Sequence, residues 1–188
     1  MSRWAYLMRR GQRGAGLVEV AVALLVLAIG ALGLGSLQIA AKRMGYEAIQ
    51  RTEATSLAVD LFERLRANPV ALPAYASTGI GAASGAQLPP PPADCDRGGC
   101  SPADQAAWDL WQWQQALDGA ATAGGAGGLA RPTGCITVSR RQVAVEIAWQ
   151  GFRPLAARPG EEGCGAGNYG PADADRQWLR ISTWIGAQ

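Results

Sequence analysis

The stretch RGAGLVEVAVALLVLAIGALGLGSLQIAA, residues 13–41, decides the fold of this 188-residue chain. Residues 20–41 carry no charge, and a helix over them is long enough for the roughly 30 Å hydrocarbon core of a bilayer. A removable secretory signal has an apolar region of only about 7–15 residues, so we expect a retained membrane anchor. Glu19 directly precedes this uncharged run. An acidic group beside a membrane segment usually has a cationic partner or a function.

Charge is distributed unevenly along the chain. Residues 1–14 contain no acid but four arginines, namely Arg3, Arg9, Arg10 and Arg13. Lys42 and Arg43 alone directly follow the apolar run, so the positive-inside rule predicts a cytoplasmic N-terminus and an exported C-terminal part. The remainder is nearly neutral and gives no electrostatic reason to expect a nucleic-acid partner. The chain has no histidine, which removes the commonest general base and metal ligand.

The basic segment 1–14, Gly14, Glu19 and the uncharged run together resemble the class III leader and N-terminal helix of type IV pilins and pseudopilins. This resemblance implies that prepilin peptidase cleaves between Gly14 and Ala15 and then methylates the new N-terminus on Ala15. Glu19 would then stand at the fifth mature position and pair with the cationic N-terminus of a neighbouring subunit. Such pairing offsets much of the several kcal/mol that an unpaired buried carboxylate costs. Ala15 departs from the family, which usually has Phe there.

The apolar pattern after the anchor predicts that the helix continues. Residues at spacings of three and four form one apolar face: Ile49, Ala54, Leu57, Ala58, Leu61, Phe62 and Leu65. Asn68-Pro69 ends the helix, because the residue before proline is pushed out of the helical region. By resemblance, residues 15–41 form the membrane and assembly half of a pilin helix, and residues 42–68 form the half that packs on the globular domain.

Glycines recur within the anchor at Gly30, Gly33 and Gly35. Small residues permit close approach of neighbouring helices, and each glycine also weakens the helix by about 1 kcal/mol relative to Ala. The sequence therefore fits either tight helix packing or, by resemblance to pilins, a stretch that unwinds when the subunit enters a filament.

Residues 69–188 are expected to form one exported globular domain. We predict a Pro-rich loop over residues 69–93, in which PPPP at 89–92 is extended. A helix follows, with Ser101 as N-cap, Pro102 at its first position, Asp104 completing a capping box, and an end at Asp118-Gly119. Its predicted stripe, formed by residues at helical spacing, consists of Ala103, Ala107, Leu110, Trp111, Gln114 and Leu117. Trp108, Trp111 and Trp113 are expected to pack rather than to form a ligand platform.

Period-two alternation predicts three strands, at residues 135–139, 143–149 and 177–185, with Arg140-Arg141 at the first turn. Residues 119–128 have the composition of a flexible linker, and residues 150–176 that of a surface excursion. Glu161-Glu162 in this excursion is expected to be solvated rather than to bind calcium. The predicted class is α+β, with a long N-terminal helix against a small antiparallel sheet.

Four cysteines, all after the apolar run, indicate two disulfides in an oxidising compartment. Three pairings are possible, and we favour Cys95–Cys100, which closes a tight loop, with Cys135–Cys164. A zinc site is the weaker alternative, because the Cys95/Cys100 spacing has no matching second pair and the chain has no histidine. Neither a metal nor a cofactor is therefore expected.

Among pilins, the chain resembles the PilV-type minor pilins, also called type IV pilus modification proteins. The resemblance rests on residues 18–38, on ERLRANP at 63–69 and on CSPADQAAWDLWQWQQAL at 100–117. It implies a subunit that primes pilus assembly with other minor pilins, joins the major pilin and stays near the tip. Inner-membrane lipid would hold it before assembly, and the pilus would carry it outside the cell afterwards.

Two other functions remain as alternatives: a minor pseudopilin of a type II secretion system and a single-pass periplasmic binding module. An enzyme is not expected. Without histidine, catalysis would need a Ser–Lys, Cys or carboxylate arrangement, and Lys42 beside the anchor is the one lysine in the chain.

Overall fold

A computed structural model describes residues 16–85, 87–120, 128–152 and 163–186. The chain divides into two units, one up to Met44 and one from Gly45, and each is described by itself. Helix α1, Leu17–Ala67, contributes residues to both units. The other elements are helix α2, Pro102–Leu117, and four strands: β1, Ser77–Ile80; β2, Thr133–Ser139; β3, Gln142–Gln150; and β4, Arg176–Trp184.

The second unit builds its core between helices and one sheet. The sheet has the order β1-β2-β3-β4, and every neighbouring pair is antiparallel. Val143, Val145 and Ile147 of β3 are buried with residues of α1 and α2 in one core cluster. The predicted α+β class, with a long N-terminal helix and a small antiparallel sheet, is confirmed.

The predicted apolar face of α1 is confirmed except at one position. Six of its residues are buried: Ala54, Leu57, Ala58, Leu61, Phe62 and Leu65. Ile49 is 64% exposed, so its inclusion in the core face was wrong. The spacing of three and four begins at Ile49, whereas burial on this face of α1 begins at Ala54. The helix ends at Ala67, directly before Asn68-Pro69, as predicted.

The three predicted strands are confirmed, with β2 and β3 slightly longer than predicted and β4 shifted by one residue toward the N-terminus. Arg140 takes a positive φ of 56° in the tight turn between β2 and β3. In β4 the predicted alternation holds: Leu179, Ile181 and Thr183 are half-buried, whereas Trp178, Arg180, Ser182 and Trp184 are exposed. A full register of nine Cα pairs joins β3 to β4, from Gln142 opposite Trp184 to Gln150 opposite Arg176.

The loop predicted over residues 69–93 is wrong in its first half. Pro69–Tyr75 forms a 3-10 helix that buries Leu72 and Tyr75, and Ser77–Ile80 forms β1 at one edge of the sheet. This strand is short and contains Gly79, so it has no period-two signal of its own and depends on pairing with β2. The prolines at 89–92 lie outside helices and strands, as predicted.

Helix α2 begins as predicted but buries a different face. Ser101 Oγ accepts a hydrogen bond from the Asp104 N–H at 3.2 Å and donates one to the Asp104 carboxylate at 2.6 Å. The expected stripe was wrong at Ala103 and Ala107, which are exposed. The buried face instead contains two polar residues and four apolar ones: Ala106, Asp109, Leu110, Trp113, Gln114 and Leu117.

Trp113 is the central packing residue between α1, α2 and the sheet. Its side chain is fully buried, and its indole N–H donates to the Leu57 carbonyl of α1 at 2.9 Å. Across from it, a Cβ built on Gly134 of β2 would lie 2.4 Å from the Trp113 ring. Glycine is therefore required at position 134 so that the indole can lie against the strand. The expectation that Trp113 packs is confirmed.

Two disulfides tie loops to this unit, Cys95–Cys100 and Cys135–Cys164, and these are the pairs favoured from the sequence. The second joins β2 to the excursion before β4. Tyr169 anchors the same excursion, because its buried hydroxyl lies 3.0 Å from Thr133 Oγ1 and donates to the Ala148 carbonyl at 3.1 Å. Each disulfide contributes about 2–4 kcal/mol by restricting the unfolded chain. The central part of the excursion, including Glu161-Glu162, lies outside the described residues.

We predict that Gly134→Ala lowers the free energy of unfolding by about 1–3 kcal/mol, because the new methyl group overlaps the Trp113 ring. Urea unfolding followed by tryptophan fluorescence measures this change. Gly79→Ala in β1 is the matched control, since its Cβ would meet neighbours at an ordinary 3.5 Å. Equal stability of Gly134→Ala and the wild type would contradict the packing described for Trp113.

Candidate functional site

In the described part of the first unit, α1 has a surface that is apolar on every side up to residue 41. From Leu17 to Met44 no residue is buried, and an 18-residue window of α1 has a mean hydropathy of 2.6. Four consecutive residues, Leu24 to Leu27, are each 60–69% exposed. Because successive residues point 100° apart, four in a row cover the whole circumference. A helix that is apolar all round requires an apolar environment, either lipid or other helices.

Few polar groups interrupt this surface. Ser36 donates its hydroxyl to the Gly33 carbonyl at 2.8 Å, so its side chain needs no outside partner. A Cβ built on Gly30, Gly33 or Gly35 would meet nothing within 4 Å. These three glycines stay helical and leave open space beside the backbone, which another helix could occupy.

Between Leu17, where α1 begins, and Lys42, Glu19 is the one ionisable residue. It stands in the first turn of α1, where its N–H donates to the Gly16 carbonyl at 2.7 Å. An acid in the first turn interacts favourably with the positive end of the helix dipole. Within residues 16–85, 87–120, 128–152 and 163–186, the Glu19 carboxylate has no hydrogen bond or ion pair. The Glu19 side chain is exposed and therefore accessible to a partner from outside the described residues.

Gly14 and Ala15, between which cleavage is expected, both lie outside the described residues, as does the rest of the basic segment 1–14. The described site thus consists of Glu19 and the uncharged helical surface that follows it.

A second candidate is a buried polar cluster where α1 ends, which the sequence analysis missed. Asp109 of α2 is 5% exposed and accepts a hydrogen bond from the Tyr75 hydroxyl. Arg64 lies 3.5 Å from the same carboxylate and donates to Gln112 at 2.7 Å. Asn68 donates to Tyr75 at 3.2 Å and to the Pro102 carbonyl at 2.7 Å. The cluster joins the last turn of α1 to the start of α2.

Electrostatics in this cluster favour a neutral tyrosine. Burial raises the pKa of Tyr75 well above its ordinary value, and the hydrogen bond to Asp109 raises the pKa further. Burial likewise raises the pKa of Tyr169. Perturbed groups can mark a catalytic site, but here each polar side chain points at another member of the cluster. We assign the cluster a structural role, in which it holds α2 against α1.

The remaining candidate sites are weaker. Trp108 and Trp111 are half-buried and contact each other, with ring centroids 5.3 Å apart. The Trp108 indole donates to Asp96 at 3.2 Å, so it helps hold the small disulfide loop on α2. Among the described residues there is no group of three or more Cys, Asp or Glu side chains arranged to hold a metal ion.

Comparison with known proteins gives one match. The model of the Tt1218-like family, described as type IV pilin Tt1218, matches residues 36–111. The matched region runs from the end of the apolar surface through the rest of α1, β1 and the small disulfide loop into α2. No curated protein and no solved structure matches the chain. The match supports a type IV pilin family and does not extend to Glu19 or to β2, β3 and β4.

The raised tyrosine pKa values predict a loss of stability in alkali. Because Tyr75 and Tyr169 bind their protons more tightly when folded, the stabilisation is complete below about pH 10 and declines as pH rises toward the folded pKa values. Each tyrosine contributes a slope of at most about 1.4 kcal/mol per pH unit. Tyr75→Phe should reduce this slope, measured by urea unfolding at several pH values. Tyr46→Phe, at an exposed ring, is the control, and an unchanged slope in Tyr75→Phe would contradict the assignment.

Proposed function

We propose that this chain is a minor pilin of a type IV pilus. Before assembly, the part of α1 that belongs to the first unit anchors it in the inner membrane. The observation that carries the proposal is the helical surface that is apolar on every side and begins at Glu19, whose carboxylate has no partner among the described residues. The family match over residues 36–111 supports the same conclusion from a different part of the chain.

The chemistry of Glu19 is the centre of the proposal. In lipid or in a bundle of apolar helices, an unpaired carboxylate costs several kcal/mol. Cleavage after Gly14 by prepilin peptidase would create an amino group on Ala15, only four residues before Glu19. The Ala15 amine of one subunit could then neutralise Glu19 of the next, so the unfavourable charge would favour assembly over the isolated state. N-methylation leaves this amine cationic.

The surface of the anchor supplies the second part of the assembly mechanism. Side chains such as Leu24, Leu25 and Val26 are exposed in the isolated chain and would exchange lipid contacts for contacts with neighbouring helices. Since lipid and leucine are equally apolar, close packing at Gly30, Gly33 and Gly35 rather than hydrophobic transfer would favour the helix contacts. The charge pair would set the register of the helices, because it fixes one point of contact.

The finer assignment follows from the PilV-type resemblance. We infer a low-abundance subunit that primes assembly together with other minor pilins, contacts the major pilin and remains near the tip. The positive-inside rule supports a topology in which residues 1–14 lie in the cytoplasm and the globular domain lies in the periplasm. Residues 15–41 would be the membrane and assembly half of the helix, residues 42–68 its packed half, and residues 69–188 the globular domain. The function is structural, and we expect no enzymatic activity.

Glu19→Ala should be processed normally but should enter pili at least tenfold less efficiently, because the subunit amine loses its carboxylate partner. The measurement is the ratio of this protein in sheared pili to that in the membrane fraction. Glu63→Ala is the matched control, since Glu63 is an exposed glutamate elsewhere on α1. Normal incorporation of Glu19→Ala would rule out the pairing mechanism.

A deletion strain separates the pilus from the secretion alternative. We expect loss or reduction of twitching motility with unchanged export of secreted enzymes, each restored by the wild-type gene. The reverse result, normal twitching with impaired export, would instead support a minor pseudopilin of a type II secretion system. If both processes are normal, the membrane-anchored binding module becomes the better hypothesis.

A further inference from the structure

Strand β4 forms an open edge of the sheet. In the part of the chain that the structure describes, β4 pairs with β3 alone. Edge strands are usually protected against pairing by lysine, proline, a bulge or very short length. The strand Arg176–Trp184 is nine residues long, has a regular register throughout and contains neither lysine nor proline. Between its ends the one charge is Arg180, which lies 2.6 Å from Glu146 of its own sheet.

The hydrogen bonds at both ends of the β3–β4 ladder show which backbone groups of β4 point away from β3. The Ile185 N–H donates to the Arg141 carbonyl, and the Gly151 N–H donates to the Asp175 carbonyl, both at 2.8 Å. In an antiparallel ladder, hydrogen-bonded pairs alternate with non-hydrogen-bonded pairs. Odd-numbered residues of β4 therefore bond to β3. The even-numbered residues direct their N–H and C=O groups to the open edge.

The same even-numbered residues carry the exposed side chains. Trp178 is 45% exposed and Trp184 is 64% exposed, and Arg180 and Ser182 lie between them on the outer face of the sheet. Open backbone groups and large aromatic side chains thus occur at the same four positions. Two tryptophans bracketing an arginine and a serine form a pattern that is complementary to itself when the strand is reversed.

We propose that β4 pairs antiparallel with β4 of a second copy of this chain, about a two-fold axis at Ile181. In this register, Trp178 lies opposite Trp184 of the second copy, and Arg180 lies opposite its Ser182. These are pairs of even-numbered residues, so each can exchange two backbone hydrogen bonds. Two cross-strand tryptophan pairs add to the ladder. The interface is isologous and closes at two copies.

The neighbouring registers are less favourable. Only the even-numbered residues of β4 have backbone groups at the open edge, so each hydrogen-bonded pair must join two even-numbered residues. The two-fold axis must therefore pass through a residue of β4, and the nearest alternatives to Ile181 are Arg180 and Ser182. Centring it on Arg180 places the two arginines directly opposite each other, where like charges repel. Centring it on Ser182 separates both tryptophan pairs. The register at Ile181 alone combines both aromatic pairs with a neutral partner for Arg180, which is why we assign a second copy as the occupant. This pairing does not depend on the proposed pilin function.

The test exploits the contact between Arg180 and Ser182 of the second copy. Ser182→Glu should strengthen dimerisation by about fivefold, because a carboxylate then faces the arginine at two equivalent places. Ser182→Lys should weaken dimerisation by about the same factor. The dissociation constant of the full chain in detergent micelles, obtained by sedimentation equilibrium, is the quantity to measure.

Thr137→Glu and Thr137→Lys are the matched controls. Thr137 of β2 is exposed and lies in the same row as Ser182, since both are aligned with Ala144 of β3. Its variants should leave the dissociation constant unchanged, and circular dichroism checks that all four variants fold. Slower amide exchange at Trp178, Arg180, Ser182 and Trp184 with rising protein concentration would independently support the register.

Three results would overturn the proposal. The first is a monomer at all concentrations, with or without the Ser182 variants. The second is a dimer whose dissociation constant responds to neither Ser182→Glu nor Ser182→Lys, which would assign dimerisation to another surface such as the apolar helix. Equal responses to the Ser182 and Thr137 variants would also contradict it, because they would report the net charge of the face rather than strand pairing.

Discussion

The apolar surface of α1 that follows Glu19 is the constraint on which the rest of the account depends. It is exposed on every side in the isolated chain, and no residue from Leu17 to Met44 is buried. Such a helix must end in lipid or among other helices. Under the proposed pilin function, Glu19 would make these two environments unequal, because the hydrocarbon core of a bilayer offers no cation whereas a neighbouring subunit cleaved before Ala15 would. The same carboxylate would then be unfavourable in the membrane and favourable in an assembly.

The globular unit must hold a Gly- and Pro-rich chain in one conformation. Its core depends on a few non-local contacts of high specificity. Trp113 lies against Gly134 and donates to α1, Asp109 joins Tyr75 and Arg64, and the Cys135–Cys164 disulfide ties the excursion to β2. These contacts attach α2, the 3-10 helix and the long loop to α1 and the sheet, and they need no participation from the first unit.

Local patterns were sufficient to predict much of this structure. The end of α1 at Asn68-Pro69, the cap of α2 at Ser101 and the alternation in β4 each depend on neighbouring residues in the sequence. Strand β1 could not be predicted in this way, because its pairing with β2 supplies the order that its own residues lack. The buried face of α2 differs from the predicted one because it includes Asp109. This carboxylate is buried only because Tyr75 and Arg64 approach it from distant segments. For the candidate site, Glu19 stood out by its charge, whereas the partner proposed for it belongs to another subunit.

Two independent lines support the type IV pilin interpretation, since the family match covers residues 36–111 and the charge argument concerns residues 14–19. The charge argument further proposes that the mature protein begins at Ala15, four residues before Glu19. The most direct test is mass spectrometry of the protein extracted from membranes of cells with active prepilin peptidase. The account predicts a chain that lacks residues 1–14 and carries one methyl group on the Ala15 amine. An intact N-terminus in those cells would contradict it.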